Sequence, residues 1–462
     1  MSTTNDTSKV NDLAEGAPSS RQHHDDDVFR PVPPNERQSW VGFLAILCGA
    51  WASLAALSVG VQAGLGLTAW KASLAFLVGY LLCMVLAMFI AEIGRKRRVS
   101  TAVLAIAPFS RHGAALPGLL IFVTGGFSIG IQVDILTRVG MSMSGLTLGE
   151  GFSLTRGVIS ALLCAVMMTS SYLGIKYIKW VSWAAIPIFF LVLIVGVVYL
   201  STQHGSGVAG IMTHEAAQLT FSSVVMIALG LYSGFAVLMS DLSRFVESRT
   251  GLMTALLIGF LVSTLVPVAG VYFGAASEAT VYWAVFTQFG VAFTVFALVG
   301  LFLAQWSTND ANAFAAGLGL STGVRSLPRQ QWQAHGLNRR QATLAVGVVA
   351  IVLAFLGSGA IGFISGFISY LGATFLPLGG ILLGHYYVVE RSGRPVATRG
   401  IAGFTALVTT AVVTVLDLLP YPLVFSVFLS MLIYCLVYYG IERRLFDDQE
   451  YDASDMASTA QS

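Results

Sequence analysis

One polar stretch in this sequence has the residue types that bind a small cation. Ala304–Gly319 reads AQWSTNDANAFAAGLG and follows the apolar residues 284–303. Because a buried polar group without a partner costs several kcal/mol in a bilayer, its hydroxyls and amides should face protein or water. On a helix, Thr308 and Asn312 lie on one face, and the alanines among them leave room for a neighbouring backbone. The stretch therefore predicts one wall of an ion site.

The composition of the chain is that of a membrane protein. Of its 462 residues, 56% are hydrophobic and only 10% are charged, and the mean hydropathy is +0.77. These values lie far outside the range of soluble globular domains and indicate a polytopic membrane protein. The four cysteines stand singly in apolar runs, so neither a disulfide framework nor a zinc site is indicated. The net charge of +2, with the basic residues dispersed, indicates no nucleic-acid partner.

Apolar runs recur along the chain, each near the ~20 residues that a helix needs to cross a bilayer. The residues 39–446 should therefore form an all-α membrane domain. The polar residues 1–38, which lack the apolar core of a signal peptide, and the acidic residues 447–462 are expected to be disordered cytoplasmic tails. We place twelve runs, numbered spans 1 to 12, at about 41–66, 70–93, 115–140, 156–175, 180–201, 219–243, 252–276, 283–316, 342–358, 360–389, 400–418 and 423–441.

Basic residues predict how the spans are oriented. With an even number of spans, both ends of the chain lie on the same side. If that side is the cytoplasm, all but three of the 25 Lys and Arg residues fall in inner segments, and only Lys71, Arg138 and Arg156 are outside. This asymmetry is what the positive-inside rule expects. We therefore expect a multi-pass protein of the cell membrane with both termini cytoplasmic.

Two spans contain glycine clusters at places where a helix could be interrupted. Span 1 has glycines on both sides of residues 52–56, and span 6 has Gly230 and Gly234 on either side of Leu231–Ser233. Such glycines also serve helix packing. Broken helices at matching positions of two inverted five-helix repeats are, however, typical of secondary transporters. Spans 1 and 6 head two such groups, a first repeat at about 41–201 and a second at about 219–389, before two extra helices at about 400–441.

Several stretches resemble the nucleobase:cation symporter-1 family, the cytosine permease and hydantoin transporter group. The resemblance covers about Pro31–Arg444, and its most specific piece is the W-S/T-T-N element at Trp306–Asn309. It implies a leucine-transporter-type fold of twelve helices and the cation-coupled import of a heterocyclic base. The stretches that carry it are PVPPNERQSW (31–40), GAWASLAALSVG (49–60), GLYSGFAVLMSDLSRF (230–245), QWSTNDANAFAAGLG (305–319) and LGATFLPLGGILLGHYYV (371–388).

The resemblance implies a sodium site between span 1 and span 8. Oxygen ligands of this kind suit a hard monovalent cation. The alternative is that the two hydroxyls only bond to carbonyls one turn earlier. The implied ligands are the backbones of Gly49, Ser53 and Ala304 and the hydroxyls of Ser307 and Thr308.

The family holds its bases between aromatic rings from spans 3 and 6. Tyr232 falls on the span 6 position. The tryptophan of span 3 is absent, so Phe127 is the nearest aromatic candidate and Phe122 the second. Gly125 and Gly126 stand about where family members place a substrate-binding glutamine. Substrate identity is therefore left open by the resemblance.

Polar groups are also expected to hold the edge of the ligand. An amide on a membrane helix makes an interhelical hydrogen bond about as readily as a ligand contact. We favour two asparagines because they share the helix of the ion site. The predicted set is Ser233, Gly234, Leu54, Asn309 and Asn312, with Gln132 as a further candidate.

Acidic residues within the spans have structural and functional interpretations. Asp241 and Arg244, spaced i,i+3 at the cytoplasmic end of span 6, predict a structural or gating ion pair. Asp134 and Arg138, spaced i,i+4 near the outer end of span 3, predict a second pair. If Asp134 were instead unpaired at the cavity, it could hold a cationic ligand or relay a proton. Asp310 is expected to be a buried acid satisfied by neighbouring amides.

These observations predict a secondary active transporter, not an enzyme, that needs no cofactor besides its coupling cation, Na⁺ or H⁺. By alternating access it would import a small planar nitrogen heterocycle, such as cytosine or a purine. Its partners would be that substrate, the ion and the bilayer; a monomer and an oligomer both remain open. The nearer alternative is the same fold with an amine, guanidinium compound, vitamin precursor or amino acid. The farther one is a channel or an intramembrane enzyme, for which neither a repeated filter segment nor a cluster of His, Glu or Asp is found.

Overall fold

The computed structural model describes residues 28–146, 153–204, 207–213, 216–277, 283–327, 336–356, 360–392, 401–416 and 419–442, and these are almost entirely helical. Twelve segments correspond to the predicted spans, whose numbers we keep. In order they are Trp40–Trp51 with Leu54–Gly66, Ala69–Arg97, Ala115–Met143, Leu154–Leu173, Ile175–Gln203, Phe221–Val237 with Met239–Ser243, Arg249–Ser277, Val291–Arg325, Arg339–Leu356, Ala360–Leu383, Ile401–Val415 and Pro422–Val437.

Most of these segments are long and apolar enough to cross a bilayer. Ten of the described helices are long and apolar enough to be membrane spans, and the two halves of span 1 together meet the same criterion as a bent pair. Span 11 is shorter than the others, so the predicted count of twelve is approximate. The prediction of an all-α polytopic membrane protein is confirmed. Short helices connect the spans at Thr101–Leu104, Ile106–Gly113, Gly207–Thr213 and Ala284–Thr287, and π-helical turns extend spans 10 and 12 at Gly384–Val389 and Tyr438–Glu442.

Span 1 is broken in its middle, as predicted. Its first half ends at Trp51, and Ala52 and Ser53 then leave the helical conformation, with ψ angles of 62° and 131°. The Ser53 hydroxyl accepts a hydrogen bond from the Ala55 amide and so caps the second half. The two halves are bent by 53° relative to each other. The break exposes backbone groups at mid-span that an intact helix would pair internally.

Span 6 is interrupted further along the chain than predicted. The glycine-flanked residues Leu231–Ser233 are helical, and the interruption falls at Leu238, with φ −82° and ψ 7°. Gly230 instead serves helix packing, because a Cβ there would come within 2.5 Å of the Ile368 carbonyl oxygen of span 10. The predicted position was therefore wrong because close packing, not unwinding, explains the glycine.

Small residues bring the core helices together. A Cβ on Gly118 of span 3 would lie 2.7 Å from the Gly319 carbonyl oxygen of span 8, and one on Gly319 would lie 2.8 Å from the Gly118 carbonyl oxygen. The backbones of spans 3 and 8 therefore touch at this crossing. Gly60 makes a similar approach to the Pro267 carbonyl, which joins the second half of span 1 to span 7. These crossings hold span 3 against span 8 and the second half of span 1 against span 7.

The chain before span 1 packs onto one end of the helix bundle. Val28 and Val32 are buried. The Val32 amide donates to the Arg98 carbonyl at the end of span 2, and the Gln38 amide donates to the Phe245 carbonyl after span 6. Residues 1–27 and 443–462, which hold most of the two predicted tails, lie outside the described residues.

Candidate functional site

A cavity lies where the break of span 1 meets spans 3, 6, 8 and 10. Its wall is mostly apolar, with a few polar side chains directed into it, which is the usual character of a small-molecule site. The aromatic residues of the wall are Trp51, Tyr232, Phe235, Phe367 and Phe375. Its polar residues are Ser53, Thr124, Ser128, Gln132, Asp241, Thr308 and Asn312, and its glycines are Gly125 and Gly234.

Four of the predicted ion-site residues come together beside this cavity. The Thr308 hydroxyl lies 3.3 Å from the Gly49 carbonyl oxygen and 3.2 Å from the Ala304 carbonyl oxygen. A Cβ on Gly49 would collide with the Ser307 hydroxyl, so glycine is required for this approach. The bond from Thr308 to Ala304, one turn earlier, is the alternative that the sequence left open, and here it coexists with the contact to span 1. Hydroxyl and carbonyl oxygens thus converge from two helices.

Ser53 is placed differently from its predicted role. Its carbonyl accepts the Leu57 amide at 3.1 Å and so belongs to the second half of span 1. Its hydroxyl caps that half and donates to the Gln132 Oε1 at 3.1 Å. Ser53 therefore connects span 1 to span 3, whereas the ion-site prediction used its backbone.

Ser182 of span 5 joins the cluster and was missed from the sequence. Its Oγ lies 2.7 Å from the Ser307 Oγ, and a Cβ on Gly49 would lie 2.6 Å from it. Both serines are buried. A single serine in an apolar span gives little signal, because hydroxyls in membrane helices commonly bond to their own backbone, as Ser182 also does to Ile178.

An amide network joins span 8 to the break. The Gln305 Oε1 accepts the Leu54 amide at 3.2 Å, and its Nε2 donates to the Gln132 Oε1 at 2.5 Å and to the Asn309 Oδ1 at 3.4 Å. The Asn309 Nδ2 lies 3.3 Å from the Met167 sulfur, so this residue faces span 4 and not the cavity. Asn312 does line the cavity. Of the two favoured asparagines, only Asn312 is placed for a ligand.

The aromatic wall differs from the prediction in span 3. Tyr232 lines the cavity as expected, and its ring meets that of Trp51 edge-on with centroids 5.5 Å apart. Phe127 instead lies on the outer face of span 3 and is 37% exposed. Trp51, the last helical residue before the break, was missed; its place beside a predicted interruption is the signal that could have identified it.

Ser233 and Gly234, two further predicted substrate positions, have different surroundings. Ser233 is fully buried, and its hydroxyl bonds back to the Gly230 carbonyl at 2.8 Å. Gly234 lies on the cavity wall. Ser233 therefore has a local structural role, while the wall near it is formed by backbone.

Asp134 is paired and lies apart from the cavity. Its carboxylate contacts the Arg138 Nε at 2.9 Å and the Arg156 Nε at 3.4 Å, and both Asp134 and Arg156 are buried. The alternative in which Asp134 holds a cationic ligand thus has no support in its geometry. Arg156, which the charge count placed on the outer side at the start of span 4, completes a buried cluster between spans 3 and 4.

Asp241 closes one end of the cavity. Its Oδ1 accepts the Thr101 amide at 2.7 Å, in the connection between spans 2 and 3. The Arg244 Nε donates to the Asp241 carbonyl at 3.2 Å, and its guanidinium lies over the Phe245 and Phe314 rings. The end of span 6 is thus fastened to the connection between spans 2 and 3 and to span 8 on the arginine-rich side.

Asp310 is held by hydroxyls, not by the amides that were predicted. Its Oδ1 accepts the Ser170 and Ser171 hydroxyls at 2.6 and 2.7 Å. The Trp306 Nε1 donates to the Ser170 Oγ at 2.7 Å. Trp306 and Asp310 therefore fasten span 8 to the end of span 4 on a face of span 8 that does not line the cavity.

Comparisons with known proteins agree with this architecture. A family model described as permeases for cytosine/purines, uracil, thiamine and allantoin matches residues 31–399. The cytosine permeases of Escherichia coli O157:H7 and of Escherichia coli strain K12 are each 25% identical over 374 residues, which cover 80% of this chain and 82% of theirs.

Solved structures share the fold. Mhp1, a nucleobase-cation-symport-1 family transporter, in a closed conformation with bromovinylhydantoin bound, has a TM-score of 0.71 at 21% identity over 91% of this chain and 96% of its own. Its inward-facing conformation has a TM-score of 0.65 at 18% identity, covering 91% and 96%. A Na⁺-coupled sialic acid symporter has a TM-score of 0.63 at 14% identity, covering 90% and 91%. The predicted leucine-transporter-type fold is thereby confirmed.

Proposed function

The chain belongs to the family of permeases for cytosine/purines, uracil, thiamine and allantoin, and we propose that it imports a small planar nitrogen heterocycle, such as cytosine or a purine, together with Na⁺. It is a transporter, not an enzyme. One observation carries the proposal. Thr308 lines the cavity and also reaches the Gly49 carbonyl, so a single side chain belongs to both the substrate wall and the ion cluster.

The cavity suits a flat ring. Trp51 and Tyr232 offer aromatic surfaces beside the break, and such surfaces bind a planar π-system at little entropic cost. Gln132 and Asn312 add hydrogen-bonding groups on spans 3 and 8. The relatives named as cytosine permeases support a nucleobase as the ligand.

Ion coupling would follow from the contact between the first half of span 1 and span 8. A sodium ion among the Gly49 and Ala304 carbonyls and the Ser307 and Thr308 hydroxyls would hold these helices together. The ion can shift the carrier between its two conformations only if it binds one of them more tightly than the other. Coupling therefore requires that the ion prefer the conformation in which the cavity binds substrate.

The placement in the cell is inferred from charge. The arginine-rich ends of spans 2 and 6 point to a cytoplasmic side that also carries both termini. The described residues of the cavity wall all belong to one chain. We therefore propose a monomeric unit of the cytoplasmic membrane.

Uptake into proteoliposomes tests the function. The purified protein is reconstituted, and radiolabelled cytosine, adenine, hypoxanthine and uracil are supplied under an inward Na⁺ gradient, an inward H⁺ gradient or none. Saturable uptake of at least one base that is increased by the Na⁺ gradient is expected. Stimulation by H⁺ alone would reject Na⁺ as the coupling ion, and the absence of binding and uptake for every base would reject the proposed substrate class.

The amine or guanidinium alternative is tested in the same vesicles. Its motives were the missing span 3 tryptophan and an unpaired Asp134, and Asp134 is paired with Arg138 and Arg156. Saturable, ion-stimulated uptake of an amine, together with inhibition of base uptake by that amine, would reinstate it.

A further inference from the structure

Gln305 contacts the break of span 1 directly and is fully buried. It precedes the W-S-T-N element and lies between the backbone of Leu54 and the amides of Gln132 and Asn309. A glutamine amide can be turned either way in principle, with its oxygen and nitrogen exchanged. The neighbours of Gln305 decide which way it is turned.

The Leu54 amide sets this orientation. A backbone N–H can only donate, so the group that faces it at 3.2 Å must be the Gln305 oxygen. The Gln305 NH₂ is then directed away from the break, toward the Gln132 Oε1 at 2.5 Å and the Asn309 Oδ1 at 3.4 Å. Both protons of that NH₂ are thereby used.

The orientation of the Gln305 amide determines how the side-chain amide of Gln132 is turned. The Ser53 hydroxyl accepts the Ala55 amide, so its own proton is free to be donated, and it lies 3.1 Å from the Gln132 Oε1. With donors from both Gln305 and Ser53, the two lone pairs of that carbonyl oxygen are occupied. Within the described residues the Gln132 NH₂ has no acceptor, and the residue lines the cavity. It faces the cavity as a donor.

We propose that Gln305 is a positioning residue that fixes the hydrogen-bond polarity of the cavity. Because the Leu54 amide sets Gln305 and Gln305 sets Gln132, the site accepts a ligand whose edge at Gln132 carries a carbonyl oxygen or an unprotonated ring nitrogen. A ligand with N–H or NH₂ at that edge would place two donors against each other. This inference rests on the proposed function, since it specifies which edge of the heterocycle the site reads.

A double-mutant cycle separates this role from simple support of the fold. Cytosine affinity is measured for wild type, Gln305→Met, Gln132→Met and the double variant. Each single variant should weaken binding about tenfold, the loss of one good hydrogen bond. If Gln305 acts through Gln132, the double variant should be no more than about twofold weaker than either single variant. Losses that multiply would overturn the proposal.

Thr405→Val is the matched control. Thr405 is a buried polar residue of span 11, and its hydroxyl has no hydrogen-bond partner among the described residues. Its replacement should leave cytosine affinity unchanged, which excludes a general effect of removing a buried polar group.

Hydrogen exchange of side-chain amides tests the polarity without any ligand. In protein labelled with ¹⁵N-glutamine, the Gln132 NH₂ signal, identified by its loss in Gln132→Met, should exchange with solvent faster than the Gln305 NH₂ signal, identified in the same way. The opposite order would overturn the inference even if the wild type bound no base. Failure of base binding with the expected order would instead reject only the proposed substrate.

Discussion

The Thr308 hydroxyl and the Gly49 carbonyl oxygen lie 3.3 Å apart, although 259 positions separate the two residues in the chain. This contact joins the first half of a broken helix to an unbroken one. Thr308 also lines the cavity. Binding of an ion and binding of a ligand are therefore expected to influence each other through one side chain.

Thr308→Val should remove ion stimulation while the helix remains intact. Valine keeps the shape of threonine but lacks the oxygen that faces Gly49, so the Na⁺ concentration for half-maximal uptake should rise about tenfold or more. Adding Ser307→Ala should abolish the stimulated component. The matched control is Thr409→Val in span 11, where the hydroxyl is buried without a partner in the described chain. Wild-type Na⁺ dependence in the Thr308 variant would remove this site assignment.

Tyr232→Leu should weaken base binding about tenfold, because stacking of a base on an aromatic ring contributes about 1–3 kcal/mol. Tyr232→Phe keeps the ring and should bind within about threefold of wild type. The measurement is a titration of each purified variant with cytosine. Equal losses in both variants would show that the hydroxyl, not the ring, is what matters.

Gly49→Ala should destabilise the protein by about 1–3 kcal/mol, the cost of overpacking a tight contact. The added methyl group would lie 2.6 Å from the Ser182 hydroxyl and closer still to Ser307. Thermal unfolding in detergent checks this. Gly403→Ala is the control, because a Cβ at that position meets nothing within 4 Å. If Gly49→Ala were as stable as Gly403→Ala, the close approach of spans 1 and 8 would be wrong.

Arg156→Met should lower stability by about 3 kcal/mol, because it leaves the buried Asp134 carboxylate with one guanidinium fewer. The affinity of the cavity for a base should not change, since this cluster lies outside its wall. Lys71→Met removes an exposed charge and should change stability by no more than about 0.5 kcal/mol. A change in base affinity with unchanged stability in Arg156→Met would mean that the cluster contacts substrate.

Much of the architecture could be read from the sequence because it depends on hydropathy and residue size. The order of the spans and the break in span 1 follow from long apolar runs and glycines, whereas the meeting of Gly49 with Thr308 was implied by the family resemblance. Ser307 and Thr308 were identifiable because hydroxyls at such density are costly in lipid.

The rotation of each helix could not be read in this way. Successive residues turn by about 100° around a helix, so one step decides whether a side chain faces the cavity or a neighbour. Thr308 and Asn312 share a face, whereas Asn309 points to Met167. In span 3, Phe127 and Gln132 sit among apolar residues, and the sequence pattern does not show that Phe127 faces outward and Gln132 inward. The break of span 6 was misplaced because glycine marks close packing as well as unwinding.

The segment before span 1 has a practical consequence for anyone who shortens the protein. The Val32 and Gln38 amides donate hydrogen bonds to the chain at the ends of spans 2 and 6, so residues 28–38 are fastened to the arginine-rich face. A truncation that starts at residue 28 keeps both bonds, while one that starts at residue 39 removes them. Purification tags are best joined ahead of residue 28, where they leave both hydrogen bonds intact.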